Sequence, residues 1–205
     1  FFLSDNGATK AAIYLVKNWV ADQNGKTGGP DSFESYGARW GNVSNTPYRL
    51  FKSWTMEGGI KTPLIIHWPD KIKPGKKLPQ YGHMIDIMPT CLAAAGVKDF
   101  KDHNLLPGKS LFDFLAHGPD TTRTLFWEHQ GHWAARKGKW KIVGDGNGMG
   151  HADPALFNLT LDPAETENVA AKHPEKVDSL RQLYKSWAGK VGVKPHDSLI
   201  LARDL

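Results

Sequence analysis

The stretch of residues 45–63 combines basic, acidic, glycine and proline residues in a pattern that core packing alone seldom requires. Arg49 and Lys52 lie three positions apart, and Glu57 directly precedes a pair of glycines. The glycines allow a sharp backbone turn, and the apolar run at residues 63–69 is bounded by prolines, as is typical of a buried strand. The stretch therefore predicts a turn that presents a lysine immediately before a strand.

A second polar group follows the apolar residues that open the chain. Residues 1–4 predict a strand, and Asp5 and Asn6 come directly after it. Ligands of α/β proteins commonly bind at strand ends of this kind. Both side chains offer hard oxygen ligands, which suit Ca²⁺ or Mg²⁺ rather than zinc. Asp-Asn-Gly is also ordinary turn chemistry, so these residues alone leave open an Asx turn without a metal.

Together the two stretches resemble the type I sulfatase family of the alkaline phosphatase superfamily. That family has a strand ending in S-D-N-G and a later segment close to N-x-P-F/Y-R-x-F/Y-K-x-x-x-x-E-G-G-I-x-T-P, both of which this chain matches. The resemblance covers essentially the whole chain and is closest to the arylsulfatase group. We expect the part that corresponds to the family's N-terminal half to lie outside this chain. Further matches to the family follow in order along the chain at residues 37–40, 86–90, 107–111, 157–159 and 162–168.

The resemblance implies roles for four residues. Asp5 and Asn6 would complete a Ca²⁺ site, with Mg²⁺ as the alternative ion, and Lys52 would hold its ammonium against the sulfate ester oxygens. A fixed cation there lowers the barrier, because cleavage of the S–O bond moves negative charge onto the leaving oxygen. His129 follows a predicted strand, and it is a candidate substrate contact because this subdomain lines part of the pocket in related arylsulfatases.

The nucleophile of the family is expected outside the chain. Sulfatases oxidise a Cys or Ser in C/S-x-P-S/A-R to formylglycine; Cys91 lacks the following Pro and Arg, so we interpret it as a core cysteine. The implied activity is hydrolysis of a sulfate ester by the full-length parent, and the fragment alone is expected to be inactive. One alternative is a phosphonate or phosphate ester hydrolase of the same superfamily, although its zinc enzymes tend to have His in place of Asn6. A non-catalytic sulfatase-like module is the other.

Other charged residues receive structural interpretations. Arg49 could form a salt bridge within the fold or reach the substrate, and we favour the structural role. Glu57 is expected to bond backbone amides. His83 and Asp86 lie on one face of a predicted helix. A packing cluster at the start of that helix is favoured over an imidazole oriented for chemistry.

The pattern of elements predicts an α/β fold in two parts. By resemblance, residues 1–118 form the C-terminal part of the catalytic α/β sandwich of the alkaline phosphatase type. Residues 119–205 form a subdomain in which an amphipathic helix, beginning at Pro174, packs on a small antiparallel sheet.

Within the first part, the sequence is less regular. Residues 11–20 fit either a helix or a strand. Residues 22–47 are rich in turn-forming types and predict an exposed excursion at the rim of the site. Helices are predicted over residues 82–95 and 110–117.

The composition narrows the choice of partners. The net charge is +5, but the lysines are scattered, and no stripe interleaves basic and aromatic residues, so a nucleic acid is not expected. No apolar run is long enough to span a bilayer, so a membrane partner is not expected. The resemblance implies a sulfate ester small molecule or a sulfated sugar as ligand, the missing N-terminal half as a partner, and a periplasmic or secreted location. An uncovered first strand would leave an exposed edge, so we also expect marginal stability and association into oligomers.

Overall fold

The structure is a computed structural model. Of the 205-residue chain it describes residues 1–10, 37–75, 77–78, 81–97, 106–118, 120, 122–145 and 153–194. The undecided segment at residues 11–20 and the first part of the predicted excursion, residues 22–36, lie outside the described residues. No helix in the described part of the chain is both long enough and apolar enough to cross a membrane.

Two short strands pair near the start of the chain. β1 (Phe2–Leu3) runs antiparallel to β2 (Leu64–Ile65), with Phe2 opposite Ile65. The pair is exposed, since Phe2 keeps 75% and Ile65 59% of its accessible surface. The strand predicted at the start of the chain is confirmed. The prediction of a buried strand at residues 63–68 is wrong in extent and in burial, because only Leu64 and Ile65 form a strand and both are exposed.

Two helices flank the segment singled out in the sequence. α1 (Gly37–Asn45) occupies the end of the predicted excursion at residues 22–47, so the prediction of irregular structure is wrong there. α2 (Glu57–Ile60) is a single turn that contains the glycine pair. Glycine is required in it, because a Cβ on Gly58 would collide with the Arg49 carbonyl.

The next two helices lie where the sequence placed them. A 3-10 turn (Met84–Asp86) leads into α3 (Ile87–Ala94), in place of the single helix predicted over residues 82–95. α4 (Leu111–His117) begins after Ser110, whose hydroxyl accepts a hydrogen bond from the first turn.

The C-terminal sheet has four strands, each antiparallel to the next. They are β3 (Thr124–His129), β4 (His132–Lys137), β5 (Trp140–Asp145) and β6 (Ala155–Asn158). Glycines with positive φ lie in the tight turns that join β3 to β4 and β4 to β5. The predicted antiparallel sheet is confirmed.

One face of this sheet carries α5 (Pro174–Val191), which begins with its proline as predicted. The core between them consists of Ala135, Ile142, Leu156, Val177, Leu180 and Tyr184. At its edge, Trp187 stacks on Phe126 with ring centroids 5.1 Å apart. The helix-on-sheet arrangement and the α/β class are therefore observed, while the boundary placed between the two parts at residue 119 stays a prediction.

The opposite face of the sheet packs against the residues just before α2. Side chains alternate along a strand, so Ile142 lies on the α5 face and Lys141 on the other. On that second face, Met56 packs with Ala155 and Phe157. The sheet therefore supports the segment that precedes α2 as well as α5.

Candidate functional site

The two polar stretches singled out in the sequence dock onto each other. The Gly7 N–H donates to the Gly59 carbonyl at 2.9 Å, and the Lys52 N–H donates to the Ala8 carbonyl at 3.0 Å. The approach requires glycine, because a Cβ on Gly7 would collide with the carbonyl oxygen of Gly58. The loop after β1 and the lysine-bearing segment therefore lie side by side.

Asn45, the last residue of α1, joins three backbone segments. Its Oδ1 accepts from the Ala8 N–H at 2.9 Å, and its Nδ2 donates to the carbonyls of Leu50 at 2.9 Å and Ala8 at 3.3 Å. Only 8% of the Asn45 surface is exposed, and these hydrogen bonds satisfy the polar atoms of its buried side-chain amide. The sequence assigned Asn45 no role, because nothing local identifies a side chain that bonds to a loop 37 positions away.

The backbone on both sides of Lys52 is strained. Leu50 has a φ of 65° and Ser53 a φ of 82°, in the left-handed region that residues other than glycine seldom adopt. Such conformations cost about 1–3 kcal/mol each and persist only where the surroundings hold them. The Lys52 side chain itself is exposed. We call residues 49–56 the strained segment, and strain around an exposed lysine is typical of a functional loop.

Asp5 and Asn6 lie directly after β1, as predicted. Asp5 is exposed and Asn6 is half-buried. Their oxygen ligands fit Ca²⁺ or Mg²⁺ in type, but Ca²⁺ takes about six to eight oxygens, so the two side chains supply only part of a site. Within the described residues, no group of three or more His, Cys, Asp or Glu side chains is placed to hold a metal. A complete site therefore requires further ligands.

The turn between β3 and β4 lies against the strained segment. The rings of Trp54 and His132 have centroids 4.3 Å apart, and the Thr55 hydroxyl donates to the Trp133 carbonyl at 3.3 Å. His129 pairs with His132 across this hairpin and is exposed. The structure thus brings His129 toward the strained segment, and its contact with a substrate stays a prediction.

A buried ion network lies behind the strained segment. Lys141 is fully buried, and its ammonium lies 2.9 Å from Glu57 Oε1 and 2.8 Å from Glu165 Oε1. The Glu57 N–H donates to Glu165 Oε2 at 2.6 Å, and Arg49 Nη1 donates to the Glu165 carbonyl at 2.6 Å. The Arg136 guanidinium lies 3.9 Å from Glu57 Oε2. Two buried carboxylates therefore share one buried ammonium.

Burial raises the pKa of both carboxyls, whereas the neighbouring cations lower it, and the balance differs between Glu57 and Glu165. Burial raises the pKa of the Glu165 carboxyl above its ordinary value, and the nearby Lys141 ammonium only partly offsets this effect. Burial also disfavours the charged form of Glu57, but Lys141, Arg136 and Lys61 together outweigh burial and hold its pKa below the ordinary value. The proton affinity of the network therefore resides mainly on Glu165.

The network corrects one expectation and shows what sequence reasoning missed. Arg49 makes a contact within the fold, as favoured, in the form of a hydrogen bond to the Glu165 backbone carbonyl. Glu57 was expected to bond backbone amides, but its carboxylate pairs with Lys141, while its own N–H donates to Glu165. The sequence did not single out Lys141, because a lysine at an alternating strand position resembles any surface lysine. It did not single out Glu165 either. The sequence does not show that the strained segment covers that face of the sheet.

His83 and Asp86 form a capping box on the 3-10 turn that precedes α3. The Asp86 carboxylate accepts from the His83 N–H at 2.8 Å and binds both Arg123 nitrogens, at 2.6 and 2.8 Å. His83 Nδ1 accepts from the Ile85 N–H at 3.2 Å, and burial lowers the pKa of the imidazole. These contacts support the packing cluster that the sequence favoured.

Cys91 is exposed, so its interpretation as a core cysteine is wrong. The apolar composition of α3 predicted burial, but among the residues of this helix only Thr90 is buried in the described structure. Its neighbours still lack the Pro and Arg of the formylglycine motif.

Comparison with known proteins places the chain among sulfatases. A family model described as N-sulphoglucosamine sulphohydrolase, C-terminal, matches residues 48–188. An uncharacterised sulfatase of Schizosaccharomyces pombe is 31% identical over 94% of this chain and 38% of its own length. Human arylsulfatase A is 30% identical over 66% of this chain and 32% of its length. An N-acetylgalactosamine-6-O-sulfatase of Bacteroides thetaiotaomicron is 30% identical over 68% of this chain and 29% of its length.

Solved structures share the fold. One from Bacteroides thetaiotaomicron, described in connection with the metabolism of multiple glycosaminoglycans, has a TM-score of 0.59 at 27% identity and covers 68% of this chain and 31% of that chain. Ps i-CgsB in complex with k-i-k-neocarrahexaose has a TM-score of 0.64 at 22% identity, with 74% of this chain and 34% of that chain covered, a likeness of fold alone. The chain spans about a third of the length of the curated relatives it matches. On these matches together, the chain belongs to the sulfatase family and corresponds to its C-terminal portion.

Proposed function

We propose that this chain forms the C-terminal part of an enzyme that hydrolyses a sulfate ester. The observation that carries the proposal is the docking of the loop bearing Asp5 and Asn6 onto the strained segment bearing Lys52, through backbone hydrogen bonds of 2.9 and 3.0 Å. The contact brings the backbone that follows Asp5 and Asn6 against the backbone of Lys52, which supports a shared site for the three residues. Membership of the sulfatase family supports the same reaction class.

Lys52 binds the sulfate group in this proposal. Its ammonium neutralises charge that moves onto the ester oxygens as the S–O bond breaks. His129, at the end of β3, contacts the substrate from the neighbouring hairpin.

Asp5 and Asn6 would hold a Ca²⁺ ion, or Mg²⁺ as the alternative. When bound, such an ion supplies positive charge that orients the sulfate oxygens. The donor types fit either ion, and the remaining ligands come from elsewhere in the full protein.

The nucleophile is proposed to be a formylglycine in a part of the parent protein that this sequence does not contain. No C/S-x-P-S/A-R motif occurs in the 205 residues. The fragment alone is therefore proposed to be inactive, with the missing half as its partner.

We propose a sulfated carbohydrate as the substrate, with an aryl sulfate as the alternative. A relative at 30% identity is named N-acetylgalactosamine-6-O-sulfatase, and one solved structure of this fold was determined with D-glucosamine-2-N,6-O-disulfate as its substrate. The net charge of +5 favours the approach of an anion. A periplasmic or secreted location fits such a substrate.

The test is the parent protein with and without Lys52. The reading frame upstream is sequenced, and the complete protein is assayed for sulfate release with calcium and sulfated monosaccharides or an aryl sulfate. We expect Lys52→Ala to lower kcat by about 10²–10³-fold, as loss of one preorganised charge-stabilising group does. Lys172→Ala is the matched control, because that ammonium is 69% exposed and pairs with the exposed Glu167.

Three results would contradict the proposal. Equal kcat for the Lys52→Ala protein and the wild type would contradict the proposal that Lys52 binds the sulfate group. A threonine in place of the formylglycine precursor, with turnover of phosphate esters, would favour phosphoryl chemistry. The absence of any upstream nucleophile would favour a non-catalytic module.

A further inference from the structure

The strained segment is held at both of its ends by one residue of the C-terminal subdomain. Arg49, three positions before Lys52, donates to the Glu165 carbonyl at 2.6 Å. Glu57, five positions after Lys52, donates its N–H to Glu165 Oε2, also at 2.6 Å. Both are tertiary contacts, since Glu165 lies 108 positions beyond Glu57. Together with the hydrogen bond from the Gly58 N–H to the Arg49 carbonyl, Glu165 therefore fixes the distance between Arg49 and Glu57.

Glu165 is fixed in turn by the rigid sheet. Its Oε1 lies 2.8 Å from the ammonium of Lys141, whose side chain leaves β5 on the face opposite α5. The next residue, Ile142, is fully buried in the core against α5. Glu165 also has a positive φ of 57°, so its own backbone is held in an uncommon conformation. A continuous series of contacts therefore links the core between the sheet and α5 to the strained segment.

The middle of the strained segment also has contacts of its own: the Leu50 carbonyl accepts from Asn45 Nδ2, and the Lys52 N–H donates to the Ala8 carbonyl. Its backbone also forms a turn, in which the Trp54 N–H donates to the Phe51 carbonyl at 3.1 Å, and a hydrogen bond from the Gly58 N–H to the Arg49 carbonyl at 2.9 Å. A segment with two strained residues relaxes unless external contacts hold it. The buried network supplies such contacts.

We propose that Glu165 and Lys141 are positioning residues that hold Lys52 in its sulfate-binding place. They act through Arg49 and Glu57 and do not touch the substrate. This inference rests on the proposed function of Lys52. It assigns the C-terminal subdomain a direct part in the geometry of the anion site.

The decisive variant is Glu165→Gln in the complete protein. Glutamine keeps the size of the side chain but replaces one acceptor oxygen by a donor nitrogen. It cannot accept from the Glu57 N–H and pair with the Lys141 ammonium at the same time, whereas the Glu165 carboxylate does both. Glu167→Gln is the matched control, because it makes the same change two positions away on a side chain that is 65% exposed.

Two readouts are taken well below the melting midpoint of each variant. The first is kcat and KM for sulfate release, and the second is hydrogen exchange of the backbone amides in residues 49–56. We expect Glu165→Gln to lower kcat by about 10- to 100-fold, with a smaller change in KM, and to speed exchange in that segment. Lys141→Met should act in the same direction, and Glu167→Gln should match the wild type.

The outcomes separate this inference from the proposed function. A Glu165→Gln protein that melts earlier but keeps wild-type kcat and wild-type exchange in residues 49–56 overturns the positioning role. If Lys52→Ala leaves kcat unchanged, the proposed function of Lys52 fails, and exchange in residues 49–56 still decides whether Glu165 holds the segment.

Discussion

Replacement of Lys141 by methionine should destabilise the protein strongly at neutral pH. The ammonium is fully buried, 2.9 Å from one carboxylate and 2.8 Å from another, so its loss leaves Glu57 and Glu165 as like charges without their shared partner. Breaking a buried ion pair by removing one partner costs about 3–5 kcal/mol. Domains of this size have free energies of unfolding of about 5–15 kcal/mol, so the loss is a large fraction of the total.

The stability lost in the Lys141→Met variant should become smaller as the pH falls. In the wild type the pKa of Glu57 is lowered on folding, so its charged form adds stability above the unfolded pKa, and that stability is lost at acid pH. Without Lys141, burial and the neighbouring Glu57 charge hold the folded pKa of the Glu165 carboxyl above its ordinary value with less to offset them, so its charged form destabilises the fold above its unfolded pKa, about 4.3. Protonation below that value removes the penalty, so the wild type and the variant should converge in acid.

The assay is urea unfolding at several pH values, followed by tryptophan fluorescence. Lys172→Met is the control, because its exposed ion pair with Glu167 should contribute less than about 1 kcal/mol. A loss at pH 7 no larger than that of the control would refute the reasoning. So would a loss for Lys141→Met that stays constant between neutral and acid pH.

Three further predictions concern other contacts. Gly7→Ala should lower the melting temperature and increase proteolysis near the site, because its Cβ would collide with the Gly58 carbonyl; unchanged cleavage would count against the docking contact. Arg123→Lys should destabilise the fold by about 1.5–3 kcal/mol in urea titrations, because Lys cannot reproduce both hydrogen bonds to the buried Asp86, and a neutral effect would argue against that pair. The exposed β1–β2 pair should make this chain associate, so sedimentation velocity should show mass increasing with concentration, and a monomer at all concentrations would contradict this.

Local patterns predicted most elements of the C-terminal subdomain. Strand alternation, turn glycines and the proline at the start of α5 act over a few residues, so the sheet and helix could be assigned from the sequence. Burial was harder to predict. Cys91, Leu64 and Ile65 look like core residues but are exposed, because burial depends on whether another element packs over them.

The chemical types at the candidate site could be taken from the sequence: the oxygen-bearing side chains of Asp5 and Asn6, the cationic side chain of Lys52, and the motif order that identifies the family. Those properties follow directly from residue identity and spacing. The docking of the loop after β1 on the strained segment and the pairing of Lys141 with Glu57 and Glu165 became apparent only from the folded structure. These contacts join residues that are far apart in the sequence, 84 positions in the case of Lys141 and Glu57, and such pairings depend on how sheet and loops pack rather than on any local preference.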